Sequence, residues 1–172
     1  MDTYLEFIIK QKYTFSKVLL IIGLYLLAAI LSFFVLIVAV RSSVIMQFSV
    51  LIMAIFFYGA WFLSRKLCVE YEYIVTNDEL DVDRIIATKT RKRMLTVSVK
   101  KFEEFGVATE ERISQLKKNA KVILDASIGK NSVNRYYAYF DNKQGNKMLL
   151  IFNPTSRMLD LFKVYNPRVV NF

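Results

Sequence analysis

Two apolar runs separated by a single charge decide the fold of this chain. Residues 18–63 read VLLIIGLYLLAAILSFFVLIVAVRSSVIMQFSVLIMAIFFYGAWFL, and Arg41 is the one charged residue among them. The first run, 18–40, has 23 residues and the second, 44–63, has 20. At about 1.5 Å of rise per residue, each forms a helix long enough to cross a hydrocarbon core of roughly 30 Å. The sequence therefore predicts a transmembrane hairpin with its turn at 41–43.

Positive charges give the hairpin an orientation. Five cations flank its outer ends: Lys10, Lys12, Lys17, Arg65 and Lys66. Arg41 alone lies in the turn, so the positive-inside rule places both termini in the cytoplasm. We therefore expect a multi-pass protein of the plasma membrane. A cleaved signal peptide is the alternative for the first run. That run, however, exceeds the roughly 7 to 15 apolar residues of a signal sequence, and a second span follows at once.

The rest of the chain is polar and basic. The 172 residues carry a formal net charge of +9, and residues 64–172 hold 20 Lys+Arg against 13 Asp+Glu. Histidine is absent and Cys68 is the single cysteine, so an internal disulfide is excluded and the commonest metal ligand is missing. We therefore expect no metal, no cofactor and no enzymatic activity.

The segment before the first span, residues 1–17, has a helical pattern. Thr3 and Glu6 have the spacing of a capping box, and Leu5, Ile8 and Ile9 fall on one face of a helix. Two interpretations fit this pattern: a short helix lying in the membrane interface, or an N-terminal extension of the first transmembrane helix.

Residues 67–172 predict a mainly β (α+β) cytoplasmic domain. Seven segments alternate or are rich in β-formers: 67–75, 80–83, 94–99, 102–107, 122–127, 135–141 and 147–152. Residues 109–120 are either a short helix or a long polar connection, and we favour the helix. Asn153 and Pro154 resemble a helix start, followed by an apolar stripe that stops before Pro167.

The element order of about seven antiparallel strands followed by one C-terminal helix is that of a PH-like barrel. The alternative is another small antiparallel α+β sheet. Beyond the element order, the chain resembles a family of small uncharacterised two-transmembrane proteins of Gram-positive bacteria with a cytoplasmic PH-like domain. The resemblance rests on the two-span hairpin and on four segments: Met1–Glu6, Tyr71–Asp83, Arg91–Arg93 and Phe152–Arg168. It implies a bacterial plasma membrane and a PH-like domain, and it implies no activity.

Four cations in five residues form the candidate binding site: Lys89, Arg91, Lys92 and Arg93. We expect them in a hairpin loop, where each cation near an acidic leaflet contributes about 1 kcal/mol of attraction. The other interpretation is a solvated loop whose cations only oppose nearby carboxylates of Asp81, Asp83, Glu103 and Glu104.

Three other patterns in the sequence do not indicate a functional site. The aromatic run 136–140 is typical of a core strand, and no nucleic acid partner is expected. Gly129 and Lys130 lack the upstream glycine of a phosphate-binding loop. Small residues in the spans are expected to mediate helix packing: Gly23, Ser32, Ser49 and Gly59.

The functional hypothesis is a membrane-tethered, non-catalytic binding or scaffold module. Its candidate partners are the lipid bilayer, anionic lipid headgroups, another membrane protein and a second copy of the chain. The alternative is an accessory subunit of a membrane enzyme or transporter complex.

Overall fold

The computed structural model describes residues 3–170 and divides them into two compact units. One unit is formed by residues 3–12 together with 69–170, and the other by residues 13–68. The expected domain over 67–172 is therefore incomplete, because it also needs the N-terminal segment. The hairpin is an insertion into a β domain rather than a tail in front of it.

The hairpin unit consists of α1 (Phe15–Ala39) and α2 (Ser43–Lys66). Their most apolar windows have mean hydropathies of 2.9 and 1.9, and only 11% of each window is buried. A core helix of a soluble protein would be mostly covered, whereas these helices expose apolar side chains around most of their circumference. Both helices are long and apolar enough to cross a membrane.

Small side chains line the contact between α1 and α2. The buried residues of the two helices are Ala28, Ser32, Ala39, Ser49 and Ala60. Each serine hydroxyl donates a hydrogen bond within its own helix. Ser32 Oγ donates to the carbonyl of Ala28 at 2.7 Å, and Ser49 Oγ donates to the carbonyl of Met46 at 2.8 Å. The two serines are confirmed as packing positions. The two glycines are not, because a Cβ added to Gly23 or Gly59 would meet nothing within 4 Å.

The N-terminal segment contains a strand, β1 (Tyr4–Lys10), so both helical interpretations are wrong for residues 4–10, and residues 1–2 lie outside the described part of the chain. β1 pairs antiparallel with β2 (Val69–Thr76) over its whole length, with Lys10 opposite Glu70. Within β1, Ile9 is 4% exposed and Ile8 is 47% exposed, which is the alternation of a strand. The strand partner lies about sixty residues away in sequence, beyond the reach of a local pattern.

The first sheet has the order β1-β2-β3-β4, with β3 spanning Glu79–Ile86 and β4 spanning Thr90–Ser98. The second has the order β5-β7-β8-β6. Its strands are β5 (Phe102–Val107), β6 (Val122–Asp125), β7 (Tyr136–Asp141) and β8 (Lys147–Phe152). All seven expected segments contain strands, but β1 makes eight, and β6 is parallel to β8. Within residues 3–170 the strands thus form two four-stranded sheets, with eight strands where about seven are expected and one parallel pair where all are expected to be antiparallel.

An aromatic core lies between the sheets and the C-terminal helix α4 (Ser156–Tyr165). Phe162 of α4 is fully buried, and its ring lies 5.9 to 6.2 Å from the rings of three neighbours: Phe102, Phe105 and Phe152. The expected cap of this helix is displaced by two residues, because the Thr155 hydroxyl accepts the hydrogen bond from the amide of Met158.

Helix α3 (Glu110–Asn119) confirms the short helix expected within 109–120. Its buried Ile113 and Leu116 form a second apolar cluster on the second sheet with Tyr137, Tyr139, Leu149 and Ile151. Both faces of β7 and β8 are therefore covered. That burial explains why residues 148–152 form an unbroken apolar run instead of alternating.

One end of the β domain carries both links to the hairpin, and we call it the junction end. There β1 is followed by residues 11–14 and β2 is preceded by residues 67–68. The β3–β4 turn lies at the same end, since Ile86 is paired with Val69. So does the loop 126–134, because the carbonyl of Ile128 accepts a 2.7 Å hydrogen bond from the amide of Lys12.

Candidate functional site

Three of the four expected site cations lie at the start of β4, and Lys89 lies in the turn before it. Only Ala87, Thr88 and Lys89 connect β3 to β4, and the strand begins at Thr90. Arg91, Lys92 and Arg93 are therefore strand residues, so the expected hairpin-loop placement is wrong for these three and confirmed for Lys89. The chain turns earlier than expected because Ala87 and Thr88 both take left-handed conformations, with φ of 54° and 58°.

This turn stores backbone strain. Neither alanine nor the β-branched threonine favours positive φ, whereas asparagine and glycine adopt it more readily. Replacing Ala87→Asn and Thr88→Gly together is expected to raise the free energy of unfolding by about 1–2 kcal/mol. Urea-dependent pulse proteolysis of the full chain in detergent measures it. Unchanged or reduced stability would contradict the strained turn.

Two of the four cations neutralise buried carboxylates. Arg91 Nη2 lies 2.8 Å from Oε1 of Glu72, whose side chain is completely buried. Arg93 bridges two more carboxylates, at 2.9 Å from Asp83 Oδ1 and 2.8 Å from Asp81 Oδ2. The interpretation of cations opposing neighbouring carboxylates is thus confirmed for Arg93 and the β3 aspartates. Glu103 and Glu104 instead pair with Lys147 and Arg112.

Glu72 lies on the outward face of the first sheet in a row of charged side chains. Its burial raises the pKa of its carboxyl, a hydrogen bond shared with Glu6 raises it further, and Arg91 opposes both effects. The pKa of Glu6 is lowered by the hydrogen bond that the Tyr4 hydroxyl donates to it at 2.6 Å. The ionised form of Glu72 therefore depends on Arg91.

Removing that cation should make stability more sensitive to pH. A carboxyl whose pKa is raised by folding stabilises the fold below its unfolded pKa of about 4.3, and that contribution is lost as the pH rises through the folded value. Arg91→Gln is expected to cost about 1–3 kcal/mol at pH 7 and clearly less at pH 4. Urea unfolding at the two pH values measures this, with Lys92→Gln as the control. Equal losses at both pH values would contradict the role of the pair.

The other two site cations remain available to a ligand. Lys89 and Lys92 are exposed and, within residues 3–170, make no ion pair. The structure adds Lys12 and Lys130, which are also exposed and lack an ion pair in that part of the chain. We call these four lysines the junction lysines: Lys12 follows β1, Lys89 lies in the β3–β4 turn, Lys92 lies in β4 and Lys130 lies in the loop 126–134.

Sequence reasoning missed Lys12 and Lys130 as site residues. In the sequence, Lys12 indicates only the membrane orientation, and Lys130 belongs only to a segment that lacks the glycine of a phosphate-binding loop. Lys12 joins the site because its amide donates to the carbonyl of Ile128. Lys130 joins it because the loop 126–134 is held by a residue far away in sequence, Asn153. Its buried Nδ2 donates to the carbonyls of Val133 and Asn134 at 3.0 Å, and its Oδ1 accepts from the amide of Ile128 at 2.8 Å.

Buried Arg135 fixes the other side of this loop. It is 5% exposed, and its guanidinium donates to Asp125 at 2.9 Å, Glu110 at 3.1 Å and the carbonyl of Lys130 at 3.4 Å. The loop is thus held by an amide on one side and a guanidinium on the other. Val133, at its tip, is 83% exposed.

The remaining candidate chemistry does not assemble within the described residues. No group of three His, Cys, Asp or Glu side chains among residues 3–170 could hold a metal ion. Cys68 is a free, half-buried thiol. Tyr137 and Tyr139 of the aromatic run contact α3, which confirms them as core residues.

The whole-chain comparison gives this arrangement a family. A family model described as a bacterial PH-like domain (DUF6106) matches residues 1–172. The chain belongs to this family. The match runs across the hairpin as well as the strands, and the expected resemblance is confirmed. No curated protein and no solved structure matches the chain.

Proposed function

We propose that this PH-like protein is a membrane-tethered, non-catalytic binding module at the inner leaflet of a bacterial plasma membrane, with both termini in the cytoplasm. The observation that carries the proposal is the insertion of two apolar helices between the paired strands β1 and β2. Both links leave the domain side by side, as Lys10 and Glu70 are directly opposite.

Short links keep the junction end close to the bilayer. Residues 11–14 span at most about 14 Å when fully extended, and residues 67–68 span about half of that. The junction lysines therefore lie within reach of the lipid headgroups. Each contributes about 1 kcal/mol of attraction to an acidic leaflet, so the four together are sufficient to hold the junction end there.

The proposed lipid contact includes two of the four cations that the sequence predicts as a site. Lys89 and Lys92 carry the lipid contact with Lys12 and Lys130, whereas Arg91 and Arg93 hold the sheet together. An acidic lipid surface suits separated lysines, since headgroup phosphates attract point charges without requiring a fixed fork geometry.

A pair of fluorescent probes tests the lipid contact in the full chain. A Cys68→Ser protein carries one bimane-labelled cysteine, either at Lys130 or at Lys143 in the β7–β8 turn at the opposite end of the domain. The protein is placed in nanodiscs of phosphatidylcholine with or without phosphatidylglycerol. We expect a blue shift that depends on phosphatidylglycerol at position 130 and none at 143.

A charge variant provides the second arm. Lys12→Gln, Lys89→Gln and Lys92→Gln together should reduce the response at position 130, whereas Lys117→Gln, Lys118→Gln and Lys121→Gln, near α3, should not. Identical responses at 130 and 143, or a response that persists in the first triple variant, would refute the lipid contact.

A further inference from the structure

Two cations lie directly opposite each other on the inward face of the first sheet, near the junction end. Arg84 of β3 is paired in register with Lys92 of β4. Alternate residues of a strand share a face, so Arg84 lies on the face that carries the core residues Leu80 and Val82. Side chains of like charge that are directly opposite destabilise a sheet. The pair therefore favours the arrival of a negative charge.

Arg84 has no partner among residues 3–170. Its side chain makes no ion pair or hydrogen bond in that part of the chain, and its Nε is buried without an acceptor. Arg91 and Arg93, on the other face, are each bound to carboxylates at 2.8 to 2.9 Å. A buried donor without an acceptor is unfavourable, and a ligand with acceptor oxygens removes that penalty. Arg84 is thus the cation of this sheet that an anion would stabilise most.

Asp125 of β6 approaches the pair from the second sheet, but it is already bound. Burial raises the pKa of Tyr71, which is directly opposite Arg84 on β2; the charge of Arg84 lowers this pKa and that of Asp125 raises it. Both charges therefore lie close to the Tyr71 ring. The Asp125 carboxylate accepts hydrogen bonds from Arg135 at 2.9 Å and from the Ser127 hydroxyl at 2.6 Å. It is held by groups other than Arg84.

The charge count on the inward side is positive. Arg135 is shared by Asp125 and Glu110, so these three groups together carry one negative charge. Arg84 and Lys92 alone exceed it, and the other junction lysines lie at the same end of the domain.

The outward face of the first sheet does not reverse this count. Five carboxylates and three cations interact there, and the two negative charges that they leave point away from the pair. These groups are Glu6, Glu70, Glu72, Asp81 and Asp83 with Lys10, Arg91 and Arg93. Arg84 and the four junction lysines, which make no ion pair within residues 3–170, outnumber the uncompensated carboxylates of both faces.

We propose that Arg84 and Lys92 form a binding site for a phosphomonoester group at the junction end. The guanidinium offers Nε and one Nη in a fork that matches two phosphate oxygens, and the ammonium supplies the second positive charge. A phosphomonoester carries close to two negative charges at pH 7, because its second pKa is about 6, whereas a phosphodiester carries one. Phosphatidic acid and soluble phosphate esters both present this group. The proposal specifies the headgroup chemistry of the lipid contact, and its lipid form rests on that contact, since Lys92 belongs to both.

Calorimetric titration of the full chain in a nonionic detergent tests the site with soluble ligands. Glycerol phosphate is the monoester and glycerophosphoglycerol is the matched diester, at constant ionic strength. We expect the monoester to bind at least tenfold more tightly than the diester, and Arg84→Gln to weaken its binding at least tenfold. Arg168→Gln, which removes an exposed cation beyond α4, should leave the binding unchanged. Pulse proteolysis should show undiminished stability of Arg84→Gln, because Arg84 has no partner to lose, and a clear loss would contradict the site.

Nanodiscs test the lipid source of the phosphate. The bimane probe at position 130 is compared in nanodiscs with phosphatidic acid or phosphatidylglycerol, at lipid fractions adjusted to equal zeta potential. We expect a larger blue shift with phosphatidic acid, and Arg84→Gln should abolish this difference while the response to phosphatidylglycerol persists.

The two experiments distinguish the phosphate site from the lipid contact. Dependence on Arg84 in solution, in nanodiscs or in both supports the site and assigns the source of the phosphate. Dependence in solution without any response at position 130 keeps the site and refutes the lipid contact. Absence of dependence on Arg84 from both experiments overturns the site, even where the response to phosphatidylglycerol upholds the lipid contact.

Discussion

Replacing Ile9→Ala is expected to lower the free energy of unfolding of the β domain by about 2–4 kcal/mol. Ile9 is 4% exposed and belongs to the main core cluster, together with residues of β2, β3 and α4. Truncating it removes buried methyl groups and leaves a cavity that the surrounding strands cannot fill completely. Urea-dependent pulse proteolysis of the full chain in detergent measures the loss.

The neighbouring isoleucine is a matched control. Ile8 has the same side chain in the same strand but is 47% exposed, so Ile8→Ala should cost less than about 1 kcal/mol. A helix lying on the membrane would expose both residues to lipid, and neither change would then destabilise the β domain. Equal effects of the two variants would contradict the placement of β1.

Replacing Asn153→Ala is expected to lower the free energy of unfolding by about 3–5 kcal/mol, because several half-buried or buried partners lose their hydrogen bonds at once. The Asn153 side chain bonds four residues of one loop: Ile128, Ser132, Val133 and Asn134. Its backbone amide also donates to the hydroxyl of Tyr73 at 3.2 Å. The loop should therefore loosen before the domain unfolds.

Two measurements separate loosening from unfolding. Pulse proteolysis gives the stability, and amide hydrogen exchange at residues 128–134 reports the loop. Asn131→Ala in the exposed part of the same loop is the control and should change the stability by less than about 0.5 kcal/mol. If Asn153→Ala behaves like Asn131→Ala in both measurements, the amide does not hold the loop.

Much of the fold could be predicted from the sequence because its signals are local. The hairpin follows from apolar length alone, and the expected spans 18–40 and 44–63 overlap α1 and α2 almost completely. Strands β2 to β8 follow from alternation or from unbroken apolar runs. Helix α3 follows from Ile113 and Leu116 spaced three residues apart among strong helix formers.

The features that could not be predicted depend on partners distant in sequence. β1 has a helical pattern until β2 is placed beside it, and β6 is indistinguishable from an antiparallel strand until β8 lies next to it. The division of the four expected cations into two that pair with carboxylates and two that do not could not be predicted for the same reason. Arg91 and Lys92 are equivalent in the sequence, yet Arg91 pairs with buried Glu72, and Lys92 lies opposite Arg84 on the other face of the sheet.

The insertion changes how the hairpin contributes to function. A β domain attached at one end swivels on its link, whereas here both links join strands that are hydrogen-bonded to each other. Loss of β1 pairing would therefore disrupt the core and the attachment together.

Labelling with a membrane-impermeant maleimide tests the central claim most directly. In a Cys68→Ser background, single cysteines are placed at Ser43, in the hairpin turn region, and at Lys143, in the β domain, and the protein is expressed in bacterial spheroplasts. We expect Ser43→Cys to react in intact spheroplasts and Lys143→Cys to react only after lysis. Reaction of Lys143→Cys in intact spheroplasts would contradict a β domain tethered at the inner leaflet.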